Sequence, residues 1–222
     1  MNRATDARPH PVRPRDAASL VLVRDASEGP EVLMGRRHSR HAFIPDAFVF
    51  PGGKLDAADR QVLCPNGPDL APGMDPLTRA LAAAAIRETF EETGLVVGCP
   101  GDPGTAEGTW GEFRARGLAP DLAGLSLMAR AITPPESPIR FHARFFLADG
   151  RKASGNIEGS GELLDLDWYP VARALALPVI DVTEFVLGEI RARSGQTRRH
   201  GPVAFWRYRL GKPVLSYEDA GR

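Results

Sequence analysis

The chain has 222 residues, 43% of them hydrophobic and 25% charged, the make-up of an ordinary globular domain. Its 28 Lys and Arg offset 28 Asp and Glu, which removes any global argument for nucleic acid or an anionic membrane as partner. The two cysteines, Cys64 and Cys99, lack the spacing of a zinc or redox motif and fit a reducing compartment, and no run nears the roughly eighteen apolar residues that span a bilayer.

Residues 1–16 are rich in Arg and Pro and have no apolar h-region, so they read as a flexible tail, not a secretory signal, and the expected address is the cytoplasm. Ala17 to Arg24 is a short run of branched apolar residues, hence a strand. Polar turn chemistry from Asp25 to Pro30 returns the chain through Glu31 to Arg37, which makes a hairpin. A basic segment follows, Arg36-Arg37-His38-Ser39-Arg40-His41. It reads either as a loop that holds anions or as plain solvated surface.

Phe48-Val49-Phe50 is a strand that ends in Pro51-Gly52-Gly53, a turn where backbone can approach a ligand closely. Asp59 to Met74 is broken by prolines and glycines and has no period, which is uncommon inside a compact domain and marks a functional or mobile insert. Asp75 is a suitable N-cap with Pro76 at the first helical position, and the helix should run to Thr93 and stop at Gly94.

The end of that helix is the anomaly of the chain. Glu88, Glu91 and Glu92 fall within about 100° of one another on the helix wheel, opposite Ala82, Ala83, Ile86 and Phe90. Like charges three and four residues apart repel by about 0.2–0.5 kcal/mol per pair, and glutamates in a last turn face the negative end of the helix dipole. A divalent cation would relieve both penalties, because hard cations take carboxylate oxygens.

Beyond the helix, Leu95 to Val97 is a short strand candidate and Trp110 to Gly117 a short helix. Leu125 to Thr133 and Arg140 to Leu147 read as paired strands, with His142 and Arg144 alternating against Phe141, Ala143 and Phe145. They line either a pocket or an exposed sheet face. Gly150 to Gly161 is a loop carrying Glu158, Glu162 opens the strand Leu163 to Tyr169, Val171 to Leu175 and Asp181 to Arg193 are helical, and Val203 to Leu210 is a last strand. The sum is one α/β domain over 17–222, a small mixed sheet between helices, with an insertion at about 60–74 and a C-terminal helix–strand extension.

Arg87-Glu88-Thr89-Phe90-Glu91-Glu92-Thr93-Gly94-Leu95 resembles the second half of the Nudix box, G-x5-E-x7-R-E-U-x-E-E-x-G-U. Gly53 and Asp59 match its first half with Asp in place of Glu, after the family's usual Phe-Pro-Gly lead-in at Phe50-Pro51-Gly52. Residues 60 to 86 separate the halves where the family pattern has seven positions, and Thr89 stands at a usually aliphatic one. The split box, Phe50 to Asp56, Thr133-Pro134-Pro135 and the later Arg140-Phe141 and Phe145-Phe146-Leu147 make the chain similar to the acyl-CoA diphosphatase-like Nudix subgroup, over roughly residues 17 to 170.

The resemblance implies an α/β/α sandwich that uses Mg²⁺ or Mn²⁺ to hydrolyse the diphosphate bridge of a nucleoside diphosphate derivative. CoA or acyl-CoA is the first expectation. An ADP-ribose, NADH or dinucleoside polyphosphate hydrolase is the second, and a non-catalytic nucleotide sensor the third. It implies Glu88, Glu91, Glu92 and a carbonyl of Gly53 as metal ligands, Arg87 as the residue that fixes a glutamate rotamer, and Glu88 or Glu162, with Glu158 behind them, as general base. Arg36, Arg37, Arg40 and Arg144 are the candidate substrate contacts, the first three suited to the 3′-phosphate of CoA, while His38 and His41 touch phosphate or solvent, not metal. The partner implied is a small nucleotide, with no nucleic acid and no membrane; a homodimer is compatible.

Overall fold

The computed structural model describes residues 12–40, 44–65, 75–193 and 201–219. Most of the expected tail, His41 and most of the expected insertion lie outside the described residues. Strand β1 (Arg15–Ala26) starts two residues before the expected edge of the domain. It turns through a two-residue loop into β2 (Gly29–Arg37), with Ala26 opposite Gly29. Short strands β3 (Phe48–Val49) and β4 (Gly52–Lys54) follow.

Helix α1 (Pro76–Thr93) has the caps the sequence predicts. The Asp75 carboxylate accepts hydrogen bonds from Leu77 N at 2.9 Å and Thr78 N at 3.1 Å, and Gly94 closes the helix in the left-handed region at φ 76°. A small two-stranded sheet, β5 (Gly98–Pro100) with β6 (Leu118–Pro120), frames α2 (Thr109–Ala115). The expected strand at Leu95 to Val97 is only a single bridge, Val96 to Ser154. Then come β7 (Ser126–Ile132), β8 (Phe141–Asp149), β9 (Leu163–Pro170), α3 (Val171–Ala174) and α4 (Asp181–Arg193). The chain closes with β10 (Val203–Arg209) and β11 (Lys212–Glu218), the latter unforeseen.

The mixed sheet between helices is present and larger than expected. Its order is β11-β10-β7-β8-β1-β2-β3, with β4 added to β1 and β9 to β2. β1 lies at its centre, parallel to β8 from Arg15 opposite Phe141 to Val23 opposite Asp149. Strand alternation divides the core in two. Ala18, Leu20, Leu22 and Phe146 pack with Leu81, Ala82, Ala85 and Ile86 of α1, and with Trp110 and Phe113 of α2. Val21, Val32, Met34 and Phe145 pack on the other face with Val186, Leu187 and Ile190 of α4. The result is an α/β/α sandwich.

The alanine run Ala80 to Ala85 is fully or almost fully buried. It combines the best helix former with the smallest side chain, so α1 sits close on β1 and is enclosed on both sides. The acidic face is shut in as well, since Glu92 is buried and Glu88 mostly so. No helix among the described residues is long and apolar enough to cross a membrane. Replacing the cap, Asp75→Ala, should lower stability by about 1 kcal/mol. Urea unfolding followed by circular dichroism measures this, and an unchanged midpoint would reject the capping role.

Candidate active site

Arg87 organises the site. Its Nε donates to Asp59 Oδ1 at 2.9 Å and Nη2 to Asp59 Oδ2 at 3.1 Å, a bidentate pair. Nη2 also donates to the Lys54 carbonyl at 2.9 Å, and Nη1 reaches Glu91 Oε2 at 2.9 Å and Glu88 Oε1 at 3.0 Å. Five N–H groups therefore meet five acceptors. Burial works to lower its pKa, but the Asp59 hydrogen bonds and the charges of Glu88, Asp59 and Glu91 win and raise it.

Asp59 is 1% exposed. Besides Arg87 it accepts from Trp110 Nε1 at 3.1 Å and from Asp56 N at 2.8 Å, so all of its capacity is spent inside the protein. The upstream acid of the box thus holds the arginine and is not directed at a ligand. Trp110 was read only as part of a short helix; its indole N–H on Asp59 is invisible to spacing.

The glutamates then separate by role. Glu88 lies over the β4 turn: a Cβ at Gly53 would come within 2.4 Å of its carboxyl carbon, and one at Gly52 within 2.4 Å of the Ala18 carbonyl. Both glycines are required by close approach. Burial and the neighbouring Glu91, against the opposing pull of Arg87, lift Glu88 from an ordinary 4.5 to about 7. Glu92 accepts from Gly52 N at 2.9 Å. Burial, together with Glu88 and Glu162, lifts it to about 8 despite the Gly52 hydrogen bond and the charge of Arg37. Glu91 turns aside, one oxygen on Arg87 and the other accepting from Thr109 Oγ1 of α2.

Buried carboxylates whose ionised forms are this disfavoured, set beside an open backbone turn, are hard-oxygen donors in need of positive charge. In donor chemistry the residues fit Mg²⁺ or Mn²⁺. Among the described residues no three Asp, Glu, His or Cys side chains stand close enough to enclose an ion as they are. Glu91 is engaged with Arg87 and Thr109 instead.

The structure splits the basic candidates. Alternation along β2 sends Arg37 inward, where burial lowers its pKa and its charge acts on Glu92. Arg36 goes the other way, its Nε on Asp165 at 2.7 Å and Nη1 on Asp46 at 3.1 Å. Arg40 is exposed, its backbone N–H donating to His38 Nδ1 at 3.1 Å. Glu162 is exposed, within electrostatic reach of Glu92, and its carbonyl accepts from His38 N at 3.2 Å. Glu158 is exposed, and its backbone N–H donates to the Thr93 carbonyl at the helix end, at 2.8 Å. Arg144 lies apart from the glutamates, two strands from Gly53, beside Asp16.

A model of the NUDIX domain matches residues 13–184, and the chain belongs to that family. It is 34% identical to the acyl-coenzyme A diphosphatase NUDT19 of Gallus gallus, over 39% of this chain and 33% of that protein. It is 30% identical to the Homo sapiens protein of the same name, over 47% and 40%. The chain therefore matches well under half the length of these curated relatives. Among solved structures, a NUDIX hydrolase from Alicyclobacillus acidocaldarius is similar with a TM-score of 0.69 and 31% identity, over 85% of this chain and 96% of that one.

Two expectations follow from the charges. Asp59→Asn leaves the Arg87 guanidinium buried without its bidentate partner and should cost about 3–5 kcal/mol, read by denaturant unfolding; a loss under 1 kcal/mol would mean the pair is dispensable. Glu88 and Glu92 hold protons in the folded state up to about 7 and 8 that the unfolded chain releases near 4.5. Chelator-treated protein should thus lose stability as pH rises from about 5 to 8.5, relative to a Glu88→Gln/Glu92→Gln double variant. Parallel stability–pH curves for the two proteins would contradict the burial of these carboxyls.

Proposed function

We propose that this chain is a metal-dependent diphosphatase that cleaves the P–O–P bridge of a nucleoside diphosphate derivative, with CoA or acyl-CoA as its substrate class. One observation carries the hydrolase reading: Glu88 and Glu92 are buried together over the Gly52-Gly53 turn while Arg87 and Asp59 fix the helix that bears them. Carboxyls desolvated in this way cost stability on ionising unless their charge is met by a cation. A nucleotide sensor would not need it. The CoA reading is supported by the similarity to proteins named acyl-coenzyme A diphosphatase and by the split box.

Glu88, Glu92 and a carbonyl of the Gly52-Gly53 turn would hold Mg²⁺ or Mn²⁺, with Glu91 joining when it releases Arg87 or Thr109. The ion supplies charge neutralisation on the diphosphate oxygens and a lowered pKa for bound water. Arg37, whose charge acts on Glu92, would face the negative charge of the diphosphate. Glu162, whose charge acts on Glu92, and Glu88 would be the candidates to accept the water's proton. The products from CoA are a 4′-phosphopantetheine and adenosine 3′,5′-bisphosphate.

A panel of CoA, an acyl-CoA, ADP-ribose, NADH and diadenosine polyphosphates with Mg²⁺ or Mn²⁺ tests the reading. CoA species should be the best substrates by kcat/KM, and Glu92→Gln should lose at least ~100-fold in kcat. Mg²⁺ should raise the melting temperature of the wild type, and more at pH 8 than at pH 5.5, because protons compete for the same carboxylates. Glu162→Gln should keep that Mg²⁺ shift while lowering kcat if Glu162 is the proton acceptor. Preference for ADP-ribose or NADH would displace the CoA assignment; no turnover of anything, with no Mg²⁺ shift, would displace the hydrolase.

A further inference from the structure

The far edge of the sheet is open. β11 ends the strand order and, among the described residues, pairs with β10 alone. An unpaired strand edge is a template for another strand, and proteins blunt such edges with charge, proline or a covering element. This edge has Lys212 and Pro213, yet it also carries apolar surface. Of the five large hydrophobic side chains exposed among the described residues, Leu210, Leu215 and Tyr217 all lie on the β10–β11 hairpin.

The hairpin turn fixes which backbone groups face outward. Leu210 and Gly211 both have positive φ, 52° and 70°, and Arg209 stands opposite Lys212. That is a two-residue type I′ turn, in which the Lys212 N–H bonds back to the Arg209 carbonyl. Bonding direction alternates along an antiparallel strand. Lys212, Val214, Ser216 and Glu218 therefore bond toward β10, while Pro213, Leu215 and Tyr217 turn their backbone groups to the outside. Proline thus stands where its missing N–H costs the β10 ladder nothing.

The same alternation sorts the side chains. Leu215 lies opposite Trp206 and Tyr217 opposite Ala204, which puts both on the α4 side of the sheet. There Trp206 stacks on Phe185 of α4 with ring centres 5.1 Å apart, and the Tyr217 hydroxyl donates to Glu189 at 2.8 Å. Leu215, 42% exposed, is the outermost member of this apolar row.

The sequence of β11 is complementary to itself. Turned antiparallel about Leu215, a second copy sets Lys212 against Glu218, Pro213 against Tyr217, Val214 against Ser216, and Leu215 against Leu215. Leu215 is an outward residue, so in this register it exchanges both backbone hydrogen bonds with its copy. Each Tyr217 N–H meets a Pro213 carbonyl, a bond that needs no proline N–H. Opposite charges face each other at both ends, which favours the pairing. Centring on Pro213 would forfeit the middle bonds, and centring on Tyr217 would push Lys212 and Pro213 past the end of the partner strand.

We propose that β11 pairs with β11 of a second copy of this chain, antiparallel about Leu215, and joins the two sheets into one. The α4 faces then share one side of the joint sheet, with Leu215 on Leu215 and a Trp206–Phe185 stack on either flank. The pairing does not depend on how the glutamate site is read. A single strand pair lies at the small end of specific interfaces, so the association is weak and reversible.

Sedimentation equilibrium of the full chain tests the pairing. The weight-average mass should climb from that of a monomer toward twice that value between about 1 and 500 µM, the range of a weak interface. Leu215→Pro removes an outward N–H and spares the β10 ladder, so it should stay monomeric with wild-type far-UV circular dichroism. Lys212→Glu sets like charges opposite each other at both ends and should weaken the dimer about tenfold. Cysteines read the register. Hydrogen-bonded antiparallel partners have Cα atoms about 5.5 Å apart, within disulfide reach. With oxidised glutathione as oxidant, Leu215→Cys should therefore give a covalent dimer. The wild type, with Cys64 and Cys99 as its cysteines, should not, nor should Tyr217→Cys, whose two copies stand roughly 13 Å apart along the strands. Monomer at every concentration would overturn the pairing and leave the edge to a different protein or to solvent. A dimer indifferent to Lys212→Glu and Leu215→Pro, or cross-linking through Tyr217→Cys in place of Leu215→Cys, would overturn it too. If Leu215→Pro fails to fold, the Lys212→Glu and cysteine results decide.

Discussion

The site depends on a single buried guanidinium. Arg87 reaches the insertion's leading edge through Asp59, the β4 turn through the Lys54 carbonyl, and its own helix through Glu88 and Glu91. Burying an ion pair of this kind adds little net stability compared with apolar packing, because the desolvation of both charges offsets their attraction. What it adds is direction. With all five donors committed, the last turn of α1 cannot rotate or slide against the Gly52-Gly53 turn without breaking several charge-assisted hydrogen bonds at once. Trp110 and the Asp56 N–H complete the lock on Asp59, so the small α2 unit is coupled to the same point.

Around that lock the protein keeps charges where stability alone would forbid them. Glu88 and Glu92 are enclosed against glycine backbone, and a methyl group at Gly53 would collide with Glu88. The alanine face of α1 makes the enclosure possible: larger side chains would lift the helix off β1 and let water reach the acids. Local frustration that persists in a packed interior is a signature of groups held ready for a ligand.

Much of this was legible in the chain. The Asp75-Pro76 start and Gly94 stop of α1 and the course of α4 follow from local rules, and the structure repeats them. The three glutamates were recognisable as misplaced for a stable helix. What the sequence hid is non-local. Arg36 and Arg37 are neighbours in one basic run, yet strand alternation sends one to Asp165 and Asp46 and the other toward Glu92. Glu91 looks equivalent to Glu92 on the helix wheel, but Thr109 from a separate helix takes it away. β11 went unread because its alternating residues are half exposed along a sheet edge and carry Pro213, which demotes a strand signal.

The split in the box is also a matter of physics. Lengthening the connection from seven positions to 27 costs at most about 1 kcal/mol of chain entropy, since each doubling of a loop costs roughly 0.6 kcal/mol and residues 76–86 are helix. Losing one partner of the Asp59–Arg87 pair costs several times that. The two halves of the box need to meet in space, not in sequence, and the Asp59–Arg87 pair fixes how they meet.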